Sequence, residues 1–123
     1  MKIHISITAL LLGVAKADEI IDDNEIQIIK NILLDFFKIN EQESLAIINN
    51  AKEHLNDSTD LYQFCKEINN NFNYDKKIKF ILSIFKVAFV DSELHYLEEH
   101  VIKQIANLLH VEHSDLIQSK LEI

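Results

Sequence analysis

Residues 3–19 read IHISITALLLGVAKADE, and how this stretch is understood decides the fold. Lys2 precedes an apolar run from Ile5 to Leu12, and Ala15-Lys16-Ala17 is followed by an acid. That order has the form of a secretory leader with a cleavage site after Ala17. It is equally the form of a first helix that ends on small residues. The chain interior discriminates between the two. VAKADEIIDDNE at 14–25 aligns with VAFVDSELHYLE at 87–98, sharing the pattern V-A-x-[AV]-D-x-x-[IL]-[DH]-x-x-E. Further on, FFKIN at 36–40 resembles LLHVE at 108–112 after a one-residue shift. No leader peptidase acts at the second copy, which reads as a helix end, a turn and a new helix start. By analogy the first copy reads the same way, and the start of the chain is not strongly basic. A first helix over about Ile3 to Ala17 is therefore expected.

Composition bounds the rest. A chain of 123 residues reads as one domain with its own hydrophobic core. With no proline and one glycine, Gly13, it lacks the turn residues that short strands need, and an all-α fold is expected. The single cysteine, Cys65, excludes an intramolecular disulfide framework and fits a reducing compartment, although a secreted protein can also lack disulfides. A formal charge of −8 argues against a nucleic-acid surface and is compatible with cations or a basic partner. No apolar run approaches the roughly 20 residues that span a bilayer, so no membrane insertion is expected.

Apolar residues recur at helical spacing in seven segments, separated by polar joints. The second runs from about Asp23 to Phe37, with Ile26, Ile29, Leu33, Phe36 and Phe37 on one face. Asn40 followed by Glu43 has the spacing of a capping box and opens a third through Leu45, Ile48, Ala51 and Leu55. After NDST, a fourth carries Leu61, Phe64, Cys65, Ile68 and Phe72. A fifth turns Ile78, Ile81, Leu82, Phe85 and Ala88 inward. A sixth does so with Leu97, Val101, Ile105 and Leu108, and a short seventh with Leu116, Ile117 and Leu121. The expected architecture is a single-domain bundle of about seven helices over residues 1–123, with helix-turn-helix pseudo-repeats at about 14–40 and 87–112.

The joints of the two repeats are acidic. Asp18, Glu19, Asp22, Asp23 and Glu25 crowd the first, and Asp91, Glu93, Glu98 and Glu99 the second. One reading needs no ligand: Asp22 with Glu25 forms a capping box, His95 with Glu98 takes the same places, and first-turn acids complement the helix dipole. The other asks why both copies place an Asp seven residues before a Glu. Across a tight turn two such carboxylates can face one space, where their repulsion is relieved by a cation. Oxygen ligands suit Ca²⁺ or Mg²⁺, and His95 would favour Zn²⁺ or Mn²⁺. The spacing is not that of an EF-hand loop.

The two copies, with DLYQFCKEIN between them and LLHVEHSDLIQSKL after them, resemble the tellurite-resistance TerB-like family over nearly the whole chain. The resemblance implies an all-helical bundle of about seven helices, a cytoplasmic stress-response role and an acidic metal-binding site. It also implies a protein partner, in some members a membrane complex of the TerC kind. Carried over position by position, the pattern marks Asp18, Asp22 and Glu25 in the first copy and Asp91, His95 and Glu98 in the second. Where the family commonly has glycine after the first Asp, this chain has Glu19 and Ser92; since glycine adopts positive φ cheaply, either a different turn or some strain is expected there.

Other constellations are weaker. Asp91-Ser92-Glu93-Leu94 approaches the Asp-Ser-Leu site of acyl carrier proteins, but Glu93 interrupts it. The six histidines form no zinc motif, and Cys65 falls within an apolar stripe, as a buried small hydrophobe would. No nucleophile–base pair or phosphate loop is evident, so a non-enzymatic protein is expected. The alternative to cation binding is a pure interaction module. In it the acids are only caps, and Phe36, Phe37, Phe89 and Tyr96, near helix ends, are partly exposed to a partner.

Overall fold

The computed structural model describes residues 3–15, 23–57, 61–89 and 96–122, with the backbone alone for 54–57, 96 and 97. They form seven helices and no strand: α1 (Ile3–Ala15), α2 (Asp23–Phe36), α3 (Glu41–Asp57), α4 (Leu61–Asn71), α5 (Tyr74–Ala88), α6 (Tyr96–Leu108) and α7 (His113–Leu121). The all-α expectation holds, and each helix lies where the apolar spacing put it.

The opening stretch is the centre of the bundle. α1 packs against α2, α3, α4, α5 and α6, and Ser6 to Leu12, Val14 and Ala15 are all buried. A helix enclosed on every side needs no polar face, which is why IHISITALLLGVA lacks the amphipathic pattern of its neighbours. The two polar side chains in this run differ. Thr8 Oγ1 donates to the His4 carbonyl at 2.8 Å, whereas the buried Ser6 hydroxyl has no hydrogen-bond partner.

Local chemistry sets the other boundaries. The Asn40–Glu43 capping box forms: Glu43 N donates to Asn40 Oδ1 at 2.8 Å, and Asn40 N donates to Glu43 Oε1 at 3.2 Å. Asn73 caps α5 by accepting from Lys76 N at 2.9 Å. α6 ends in a Schellman turn, with Val111 N donating to Ala106 O and His110 N to Asn107 O. The turn sets His110 at φ 60, a conformation glycine would take more cheaply. The Tyr74 hydroxyl donates to the Asp115 carboxylate and accepts from Glu112 N at 3.1 Å, tying the start of α5 to the start of α7.

Several inward assignments are corrected. On α6 Ile105 is buried as expected, but its buried companions are Glu98, Ile102 and Ala106, with Leu109 just past the helix end, while Val101 and Leu108 are half-buried. Ile117 and Leu121 are exposed, Leu121 at 73 %. Of the other helices only α5 and α6 pack closely on α7, and they cover Leu116 and Ser119 instead. Leu45 is 44 % exposed and gives way on α3 to Ser44, Ile48 and Ala51. Ile26, Leu61, Ile78 and Leu82 are half-buried, and the side chains of Leu55 and Leu97 lie outside the described residues. Phe36, Phe37 and Phe89 are half-buried as expected. Phe36 packs between Phe72 and Phe80, with ring centroids 6.1 and 6.4 Å away.

The close helix contacts obey an exchange. Swapping α1, α2 and α3 with α5, α6 and α7 maps every close contact among these six helices onto an observed one, α1–α5 onto itself. Thus α1–α2 matches α5–α6, α1–α3 matches α5–α7, α2–α3 matches α6–α7, and α1–α6 matches α2–α5. Only α4, packed on α1 and α6, has no counterpart among the described residues.

Candidate functional site

Of the six residues marked as metal ligands, Asp18, Asp22, Asp91 and His95 lie outside the described residues, as do Glu19, Ser92 and Glu93. Glu25 and Glu98 are described. Both stand on first turns, Glu25 on α2 and Glu98 on α6, and both are buried, at 3 % and 2 % exposure.

Their burial follows the helix register. Glu25, Ile29, Ile32 and Leu33 are the buried positions of α2, and Glu98, Ile102, Ile105 and Ala106 are the matching positions of α6. The offset is 73 residues throughout (Glu98 minus Glu25). Each carboxylate thus occupies the first place of an i, i+4, i+7, i+8 inward stripe. The sequence named these two glutamates but not their burial. The signal was available, since each precedes a core isoleucine by four residues.

Removing a carboxylate from water costs several kcal/mol, on the order of what a stabilising partner must return. Each of the two does have an interaction partner in the protein, and a helix N-terminus adds a favourable field for an anion. Neighbouring acids behave differently. Asp23 is exposed. Glu99 turns away to Lys120, which donates at 3.0 Å, and to Lys103 at 3.6 Å. The Lys120 hydrogen bond, with the charges of both lysines, holds the Glu99 carboxyl below the ordinary carboxylate range. Glu43, the glutamate that demonstrably caps a helix, sits in solvent. Burial therefore separates Glu25 and Glu98 from the described acids around them.

Among the described residues, no three His, Cys, Asp or Glu side chains gather as a metal site would require. Any complete set of such ligands has to include residues outside those described. His100, His110 and His113 are exposed, and His4 packs edge-on against Phe37 with centroids 4.1 Å apart. Cys65 is buried, as its place in the stripe predicted. Among the described residues no helix is long and apolar enough to cross a membrane.

The family model described as tellurite resistance protein TerB matches residues 4–121. No curated protein and no solved structure matches the chain.

Proposed function

The chain belongs to the tellurite resistance protein TerB family, and from that premise we propose that it is a non-enzymatic stress-response protein which binds a divalent cation at its acidic joints. In this reading the cation-bound form recruits a protein partner, for which the family resemblance suggests a membrane complex of the TerC kind. One observation supports the cation over simple capping. Glu25 and Glu98 are buried at matched positions, whereas the capping Glu43 is exposed. A cap works at the surface, where its carboxylate keeps most of its hydration. A buried acid in a stretch of sequence rich in acids is chemistry suited to a hard cation held by oxygen ligands. Glu25 and Glu98 would supply oxygens from the helix starts. Asp18, Asp22, Asp91 and His95 would complete the set from the joints.

Titration calorimetry of the full chain with Ca²⁺, Mg²⁺, Mn²⁺ and Zn²⁺ tests this. Saturable binding of at least one ion, abolished in the Asp18→Asn, Asp91→Asn double variant, is expected. Absence of binding by all four to folded protein overturns it, and leaves the interaction module with acidic caps.

A further inference from the structure

We propose that the open groove between α2 and α5 is a docking site for an amphipathic helix of a partner protein, apolar on its inner face and acidic beside it. The inference deepens the partner-recruiting half of the function above and is independent of the cation half.

The groove encloses about 440 Å³ and is lined by Ile28, Ile32, Asp35, Ser83, Lys86 and Phe89, among others. What belongs in it is indicated by the molecule itself. The helix exchange carries α1 and α6 onto α5 and α2, and α4 is the helix that packs on α1 and α6. Its counterpart would therefore lie along α5 and α2, where among the described residues no helix other than α1 packs closely on both. Asn69 of α4 donates to the Leu108 carbonyl at 2.9 Å; the 73-residue offset matches Leu108 to Asp35, on the groove wall, and the one-residue shift at 108–112 matches it to Phe36.

Burial along the two matched helices agrees. Ser6 and Leu10 of α1 are buried and Gly13 is half-buried, whereas Lys79 and Lys86, which match Ser6 and Gly13, are exposed. Ser83, matching Leu10, is at the groove wall. Of the three α5 positions the outer two are exposed and Ser83 between them is buried.

Chemistry at the rim specifies the occupant. α4 presents Phe64, Cys65, Ile68 and Phe72 as its buried stripe, so a helix with aromatic and branched residues at i, i+4 and i+8 fits a groove of this kind. Two lysines stand where α1 has serine and glycine. Lys79 lies 3.5 Å from Asp35 and 4.9 Å above the Phe36 ring, and both it and Lys86 are exposed. Lysines at the rim favour acidic residues flanking the stripe.

The test uses ¹⁵N-labelled full-length protein in chelator and two synthetic peptides. Both carry Phe, Ile and Phe at i, i+4 and i+8 on an alanine helix, one flanked by glutamates and the other by lysines. Saturable amide shifts confined to Ile28, Asp35, Ser83, Lys86 and their neighbours are expected with the glutamate peptide. Lys86→Glu, at an exposed position, should weaken that peptide about tenfold, or 1.4 kcal/mol, and strengthen the lysine peptide. Absence of shifts at millimolar peptide, shifts centred on another surface, or equal response of wild type and Lys86→Glu would overturn the groove assignment. Shifts that grow with protein concentration in the absence of peptide would also overturn it, in favour of self-association. Such failure leaves the calorimetric test of the joints standing.

Discussion

Leu11→Ala measures directly whether the opening stretch is the centre of the fold. Leu11 is fully buried on α1, the helix that touches five others. The substitution removes three carbons, worth about 2 kcal/mol in transfer at roughly 0.8 kcal/mol each. Surrounding helices cannot collapse fully into the space, and the residual cavity raises the loss to about 3 kcal/mol, within the range of roughly 2–5 typical of such sites. Unfolding a 123-residue chain at about 2.1 cal/mol/K per residue carries an entropy of about 0.26 kcal/mol/K, so Tm should fall by about 12 °C. Urea unfolding followed by helical circular dichroism should show a lower midpoint with an unchanged slope. Leu34→Ala, at a position 40 % exposed on α2, is the control and should lose less than about 1 kcal/mol. A Leu11→Ala loss no larger than that of the control would refute the placement of α1.

Four further outcomes follow from local geometry. Asn40→Ala and Asn73→Ala each remove a side-chain cap and should cost about 1 kcal/mol in urea unfolding. His110→Gly relieves the left-handed residue of the Schellman turn and should stabilise by about 1 kcal/mol or less, read the same way. Lys120→Ala should cost about 0.5 kcal/mol at pH 7, as a partly exposed pair does. Because the Glu99 pKa is lowered on folding, that contribution is complete above the ordinary glutamate value and is lost as pH falls through the folded one, so the gap to wild type should close in acid. Tyr74 runs the other way. Its hydrogen bond to Asp115 raises the phenol pKa, so the advantage over Tyr74→Phe is complete below pH 10 and should shrink as pH climbs through the folded value.

Much of this fold is legible in the sequence because helix formation here is local. Asn40 and Glu43 form their box within four residues, so spacing alone specifies it. The apolar run at the start was ambiguous for a physical reason. A helix buried on every side and a leader both need continuous hydrophobicity, and only the echo at 87–98 separated them. The errors arise where neighbours decide. Ile117 and Leu121 carry a helical period, yet no other described helix packs beyond α5 and α6 to cover them. On α6 Ile105 is buried as expected, but Glu98 and Ile102 take the inward places beside it, a register missed on the assumption that an apolar stripe admits no glutamate. That same assumption hid what is most informative about the candidate site. Burial of Glu25 and Glu98 depends on register with Ile29 and Ile102, and a glutamate's identity argues for solvent.

The measurement that bears most directly on the function is thermal unfolding with and without divalent cation, in wild type and in the Glu25→Gln, Glu98→Gln double variant. Binding to the native state at about 100 times the dissociation constant adds about 2.7 kcal/mol, which for this length raises Tm by about 10 °C. Cation binding at the joints predicts that rise with at least one of Ca²⁺, Mg²⁺, Mn²⁺ and Zn²⁺ in wild type, and its loss in the folded double variant. An equal rise in both proteins, or no rise in either, would contradict it.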